Sequence, residues 1–176
     1  MKPPVIGSVS FFVPGVPVSQ GSKRHVGQGR MIESSRKLAP WRALVAARAE
    51  VAMQERKLYD EPLWLAARFT FWRPKGHYRT GKLSDQLKAG AGSHVGTYPD
   101  IEKLLRAVND AMEGIVFRND SLVARVFAEK VYGDTLGAFI SLGPIAEPIP
   151  DRLLEASGYD PHHASAVVRM LGSAVH

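Results

Sequence analysis

Four side chains have types and spacing that could do chemistry together: Asp100, Glu102, Arg106 and Asp120. Pro99 favours an extended entry. Asp100 then falls at the N-cap or in the first turn of a helix predicted over residues 100–113, with Glu102 in the same turn. That helix climbs about 20 Å at 1.5 Å per residue, and six extended steps from Gly114 to Asp120 cover about as much. If Gly114 reverses the chain, Asp120 returns to the level of Asp100 and three carboxylates converge. Carboxylates that close repel one another, so the cluster calls for a cation. Oxygen ligands, with no cysteine and no evident histidine ligand, suit Mg2+ or Mn2+. Arg106 lies one turn after Glu102 on the same face. The same letters also fit a plainer arrangement. Acids at a helix start are favoured by its dipole, Asp120 can be an unrelated turn residue, and Glu102, Arg106 and Asp110 can form a surface salt-bridge ladder.

The elements that must position these groups are legible in the hydrophobic pattern. Alternation over residues 8–13 and 63–73 predicts two strands, and residues 122–128 and 136–142 predict two more. Trp41, Leu44, Val45, Ala49 and Ala52 form one face of a helix over residues 38–57, with Pro40 in its first turn. Ile101, Leu104, Leu105, Val108, Ala111 and Met112 form the buried stripe of the second helix, which Gly114 ends. Residues 20–29 read as a loop or irregular hairpin, and residues 74–99 as a long loop. The order predicts an α+β fold: a small mixed β-sheet with two main helices packed on it. Residues 1–143 form the predicted domain, and residues 144–176 a proline-rich linker and a helical tail.

Charge is unevenly distributed. Residues 1–99 hold 16 Lys/Arg against 6 Asp/Glu, whereas residues 100–146 hold 5 against 7. A basic first half beside an acidic cluster suggests a polyanionic partner. Lys23, Arg24 and Arg30 in the first loop and Lys75, Arg79 and Lys82 in the long one, the latter beside Tyr78, suit a nucleic-acid backbone. No apolar run is long enough for a membrane span, no signal-peptide core follows Met1, and cysteine is absent. These features predict a cytoplasmic protein without a membrane partner, and exclude disulfide scaffolds, cysteine-bound zinc and thiol catalysis.

Several stretches then form an ordered series. They are Pro99-Asp100-Ile101-Glu102-Lys103-Leu104-Leu105-Arg106, Asp110-Ala111-Met112-Glu113-Gly114, Asn119-Asp120-Ser121-Leu122 and Glu129-Lys130, preceded by Val13-Pro14-Gly15-Val16-Pro17 and Lys23-Arg24. The series resembles the RusA-type Holliday junction resolvases, small endodeoxyribonucleases common in phages and prophages, over roughly residues 8–142. The resemblance implies a homodimer that binds four-way DNA junctions and nicks two strands with a divalent metal, in DNA recombination and repair. It implies Asp100, Glu102 and Asp120 as metal-binding acids, and Arg106 in the place of a catalytic lysine. Four positions depart from the family's pattern. Glu102 stands for Asp, Lys103 for Asn, Arg106 for Lys, and Asn119 for the first Asp of a pair. They lengthen one acid, add a positive charge, change a cation's geometry and remove a carboxylate. A structure-specific DNA-binding protein of the same fold, without nuclease activity, is the alternative these departures favour.

Overall fold

The computed structural model describes residues 7–21, 23–25, 31–33 and 36–146, with backbone alone at 23–25 and 31–33. Six strands and two helices follow in the order β1 (Val9–Pro14), β2 (Lys23–His25), β3 (Met31–Glu33), α1 (Leu38–Met53), β4 (Leu63–Phe71), α2 (Ile101–Met112), β5 (Val123–Tyr132) and β6 (Gly137–Pro144). Four strands form one sheet in the order β1-β6-β4-β5. β6 is antiparallel to both neighbours, while β4 and β5 are parallel. A parallel pair needs a crossover, and α2 provides it. This is the small mixed sheet with two main helices that the pattern predicts. β2 and β3 form a separate antiparallel hairpin, His25 opposite Met31, which carries Lys23 and Arg24 on its first strand. Arg30 lies outside the described residues, as do residues 147–176 with the predicted linker and tail. Pro144 is the last residue of β6, and the compact unit that holds the sheet and both helices ends at Ile145.

One face of the sheet carries the core. Val9, Val13, Leu63, Leu65, Phe69, Ile140 and Leu142 meet Leu38, Trp41, Val45 and Ala49 of α1 and Leu104, Ala107, Val108 and Met112 of α2. Each fully buried large side chain stabilises the fold by about 1.5–3 kcal/mol. The stripes at helical spacing are therefore what docks both helices on this face. α1 ends at Met53, four residues before the predicted end, because Gln54 turns to φ +52°. β6 can lie flush against β1 only through Gly137, at φ +157°. A Cβ there would come within 2.4 Å of the Phe12 ring and the Val13 carbonyl oxygen. On the opposite face the Arg68 guanidinium donates to Glu129 across the β4–β5 pair, and His94 lies 3.5 Å from the same carboxylate.

The long loop, residues 74–99, is built by its own backbone. A single-turn 3-10 segment, Lys75–His77, leads into a hairpin in which Lys88 N–H donates to the His77 carbonyl and Arg79 N–H to that of Gln86, and a second, Gly81–Leu83, forms part of the loop at its tip. The loop then runs beside β5, where Val95 N–H donates to the Lys130 carbonyl and Tyr132 N–H to that of Ser93. Arg73 lies over the Tyr132 ring at 5.0 Å, a cation–π contact, and donates to the Gly92 carbonyl at 2.7 Å. His77 packs edge-on against the same ring.

Candidate active site

The start of α2 is fixed before any acid is placed. Pro99 is buried, and the Lys130 ammonium reaches over from β5 to donate to the Thr97 carbonyl at 2.6 Å and the Pro99 carbonyl at 2.7 Å. Lys130 shares the core-side face of the sheet with Phe69, its neighbour in register. From the other side, Gln20 N–H donates to the Lys103 carbonyl at 3.0 Å, tying the segment after β1 to the first turn of α2. Below this turn the buried stripe of Leu104, Ala107 and Val108 anchors the helix.

Asp100 is the N-cap residue by backbone conformation, φ −68° and ψ 136°, yet its side chain accepts no capping hydrogen bond. Its carboxylate instead holds the Lys103 ammonium at 2.7 Å. The hydrogen bond and charge of Lys103 hold the Asp100 carboxyl below the ordinary carboxylate value, and Asp100 raises the Lys103 ammonium in return. Glu102 and Arg106 are both exposed on the outer face of α2, and neither has an ion-pair or hydrogen-bond partner among the described residues. The surface ladder that spacing allows does not form, because Asp110 pairs with Arg42 of α1 at 3.4 Å. Arg42 also donates to the Asp110 carbonyl, so this contact joins the two helices.

Asp120 lies elsewhere. After α2, Ile115 and Val116 N–H both donate to the Met112 carbonyl, and Gly114 N–H donates to that of Phe117. Val116 and Phe117 are fully buried, and the residues on either side of Phe117 bond to the Tyr59 backbone, Val116 through its carbonyl and Arg118 through its N–H. The Asn119 side chain donates to Glu113 and accepts from Ser121 N–H, which holds Asp120 in a short 3-10 turn at the C-terminal end of α2. β5 then travels back along α2 until Lys130 meets Pro99. Asp120 therefore sits about one helix length, ~18 Å, from Asp100. This corrects the convergence expected from spacing. The steps from Gly114 are spent in a tight buried turn rather than an extended return. Among the described residues no three carboxylate or imidazole groups come together.

A family sequence profile described as Endodeoxyribonuclease RusA matches residues 14–142. The chain belongs to the RusA family. No curated protein matches it. RusA proteins are endodeoxyribonucleases that act on Holliday junctions, and the matched span takes in β1 from Pro14, both helices and most of β6.

Within this RusA fold the start of α2 has the donor chemistry for a hard divalent cation. Asp100 and Glu102 offer exposed carboxylate oxygens that the helix backbone does not use, and an ammonium already stands against one of them. The expected DNA-contacting residues fall into two groups. Lys75 and Lys82 are exposed and without ion pairs among the described residues, while Arg79 is exposed and bonded to Gln86. Lys23 and Arg24 are placed by backbone on β2. No helix among the described residues is long and apolar enough to cross a membrane. Residue spacing did not reveal the grip of Lys130 on the turn before Asp100, although its place in the motif series marked the residue itself. Ser19 and Gln20 carried no signal, since their roles depend on a loop folding back 80 residues away in sequence.

Proposed function

We propose that the protein is a metal-dependent endodeoxyribonuclease that resolves four-way DNA junctions as a homodimer. What supports this most is the RusA family match together with Asp100, Glu102 and Arg106 presented on one exposed turn. Asp100 and Glu102 would hold Mg2+ or Mn2+, which when bound lowers the pKa of a water and polarises a phosphodiester oxygen. Lys130 keeps the turn in place while the acids are loaded. Arg106, free of partners among the described residues, stabilises the extra phosphoryl charge of the transition state. Since Asp120 is about a helix length away in its own chain, it joins the acid pair only from the second copy. Paired nicks on a nearly two-fold junction also need two sites. Cleavage of a synthetic junction with Mg2+, Mn2+ or chelator tests the reading. Tight junction binding with no nicking in either metal would favour the non-catalytic alternative.

The second copy has a surface to use. Ile101, Leu105 and Asn109 share the flank of α2 beside β5, and Ala124 and Val126 lie exposed on the core-side face of that strand. Val126 alone is 44 % exposed. Val126→Asp is expected to convert the dimer to monomer in light scattering. A variant that keeps the wild-type mass places the interface elsewhere.

Lys103 competes with a metal for Asp100. Lys103→Gln is expected to lower the half-activating Mg2+ concentration about fivefold, the order of one exposed ion pair, whereas Lys103→Arg leaves it near wild type. An unchanged Mg2+ requirement in Lys103→Gln would show that the ammonium is no obstacle.

Phosphate contacts by the long loop set the salt dependence of binding. Removing two contacts with Lys75→Ala and Lys82→Ala is expected to flatten the slope of log affinity against log salt by about 2. A slope that does not move takes both residues off the DNA path.

A further inference from the structure

Tyr98 is 75 % exposed, more than any other large hydrophobic side chain described. It is also firmly held. The two carbonyls that Lys130 grips, those of Thr97 and Pro99, belong to its immediate neighbours. At its far end the phenol is 3.0 Å from the hydroxyl of Ser19, which is itself 3 % exposed. Val95, three residues earlier, is locked to β5 by its N–H. The ring is thus fixed at its root and its tip while most of its surface stays in water. It stands two residues before Asp100, beside the acids.

A fixed, open aromatic face suits a flat partner. Within continuous duplex DNA both faces of each base pair are covered by stacking. At a branch point stacking is interrupted and base faces are open. We propose that Tyr98 is a stacking platform for the nucleobase exposed at the branch, next to the strand presented to Asp100 and Glu102. This rests on the proposed action on branched DNA. It gives that site a means of preferring a junction to a duplex, which the backbone contacts of basic residues do not provide. Ser19 and Lys130 are positioning residues for the ring.

The test compares wild type with Tyr98→Leu and Tyr98→Phe, in chelator so that nothing is cut. The probes are a four-way junction and a linear duplex of the same sequence, with 2-aminopurine at the exchange point. Stacking predicts that wild type quenches the 2-aminopurine and prefers the junction. Tyr98→Leu should lose the quench and about 5- to 100-fold of junction affinity, the range for one stacked base, with duplex affinity unchanged. Tyr98→Phe keeps the ring and should keep the quench, with affinity within about fivefold for the lost hydroxyl contact. The proposal is overturned if Tyr98→Leu, folded by circular dichroism, still quenches and binds like wild type. It is also overturned if that variant loses affinity equally for junction and duplex, or if it becomes a monomer, which would make the ring a contact between copies. A wild-type protein with no preference for the junction overturns the functional reading itself.

Discussion

Asp100→Asn is expected to lower junction nicking by about three orders of magnitude while junction binding survives. A carboxylate that holds a catalytic metal contributes several kcal/mol of barrier, and each 1.4 kcal/mol is about tenfold in rate. Asparagine is a good N-cap residue, so α2 should stay folded. Binding should tighten if it changes at all, because a negative charge that faces phosphate is gone. Asp120→Asn is expected to lose activity in the same way, although the residue lies at the other end of α2. The two variants can therefore be mixed. If Asp120 serves the partner's site, mixed dimers regain one intact site, and an equimolar mixture should recover about a quarter of the wild-type sites. No recovery would mean that the two acids serve the same chain. Glu102→Asp, which shortens the second acid to the family's length, is expected to keep or raise activity. Wild-type nicking rates in Asp100→Asn and Asp120→Asn would leave both acids as a helix start and a turn.

Lys130→Met is expected to have the next largest effect, a 10- to 100-fold loss of nicking. The ammonium makes two charge-assisted hydrogen bonds to backbone carbonyls, and such bonds are worth about 1.5–3 kcal/mol each. Methionine keeps the apolar stem against the sheet but leaves both carbonyls without that donor. The turn that carries Tyr98 and aims Asp100 then loosens, and a misplacement of about 1 Å can cost about 100-fold. Faster amide hydrogen exchange of Leu104, whose N–H donates to the Asp100 carbonyl, should accompany the loss. If nicking and exchange both match wild type, the grip of Lys130 does not position the site.

The parts legible in the sequence were those governed by periodicity. α2 was read almost to the residue because its stripe is strongly one-sided and Gly114, at φ +76°, stops it. β5 was read short, at residues 122–128, because as an edge strand it buries no clean alternation. Its last turn of sequence, through Tyr132, is a strand only because β4 and residues 93–95 pair with it. The internal order of the long loop is not legible for a similar reason, since main-chain hydrogen bonds leave little trace in residue type. At the candidate site, the pattern places Asp100 and Glu102 at the start of a helix and Arg106 one turn on, and the structure has them there, at the start of α2. Asp120 lies away from Asp100 because residues 115–119 do not run extended back along the helix. Val116 and Phe117 belong to the core, and apolar residues in a short link cannot be told from a strand until the pocket that takes them is known.

The placing of β6 also sets when the domain can exist during synthesis. β6 is made after every other strand, yet it lies between β1 and β4 and pairs with both. Until residue 144 has been made, the other strands cannot form one sheet, and β1 and β4 each keep an unpaired edge. Val9 finally pairs with Leu142, a contact between the two ends of the fold. Contacts so distant in sequence slow folding. The nascent chain therefore carries an open β1 from residue 14, joined by an open edge of β4 from residue 71, until residue 144 is made, which is when it is most exposed to aggregation and most in need of a chaperone.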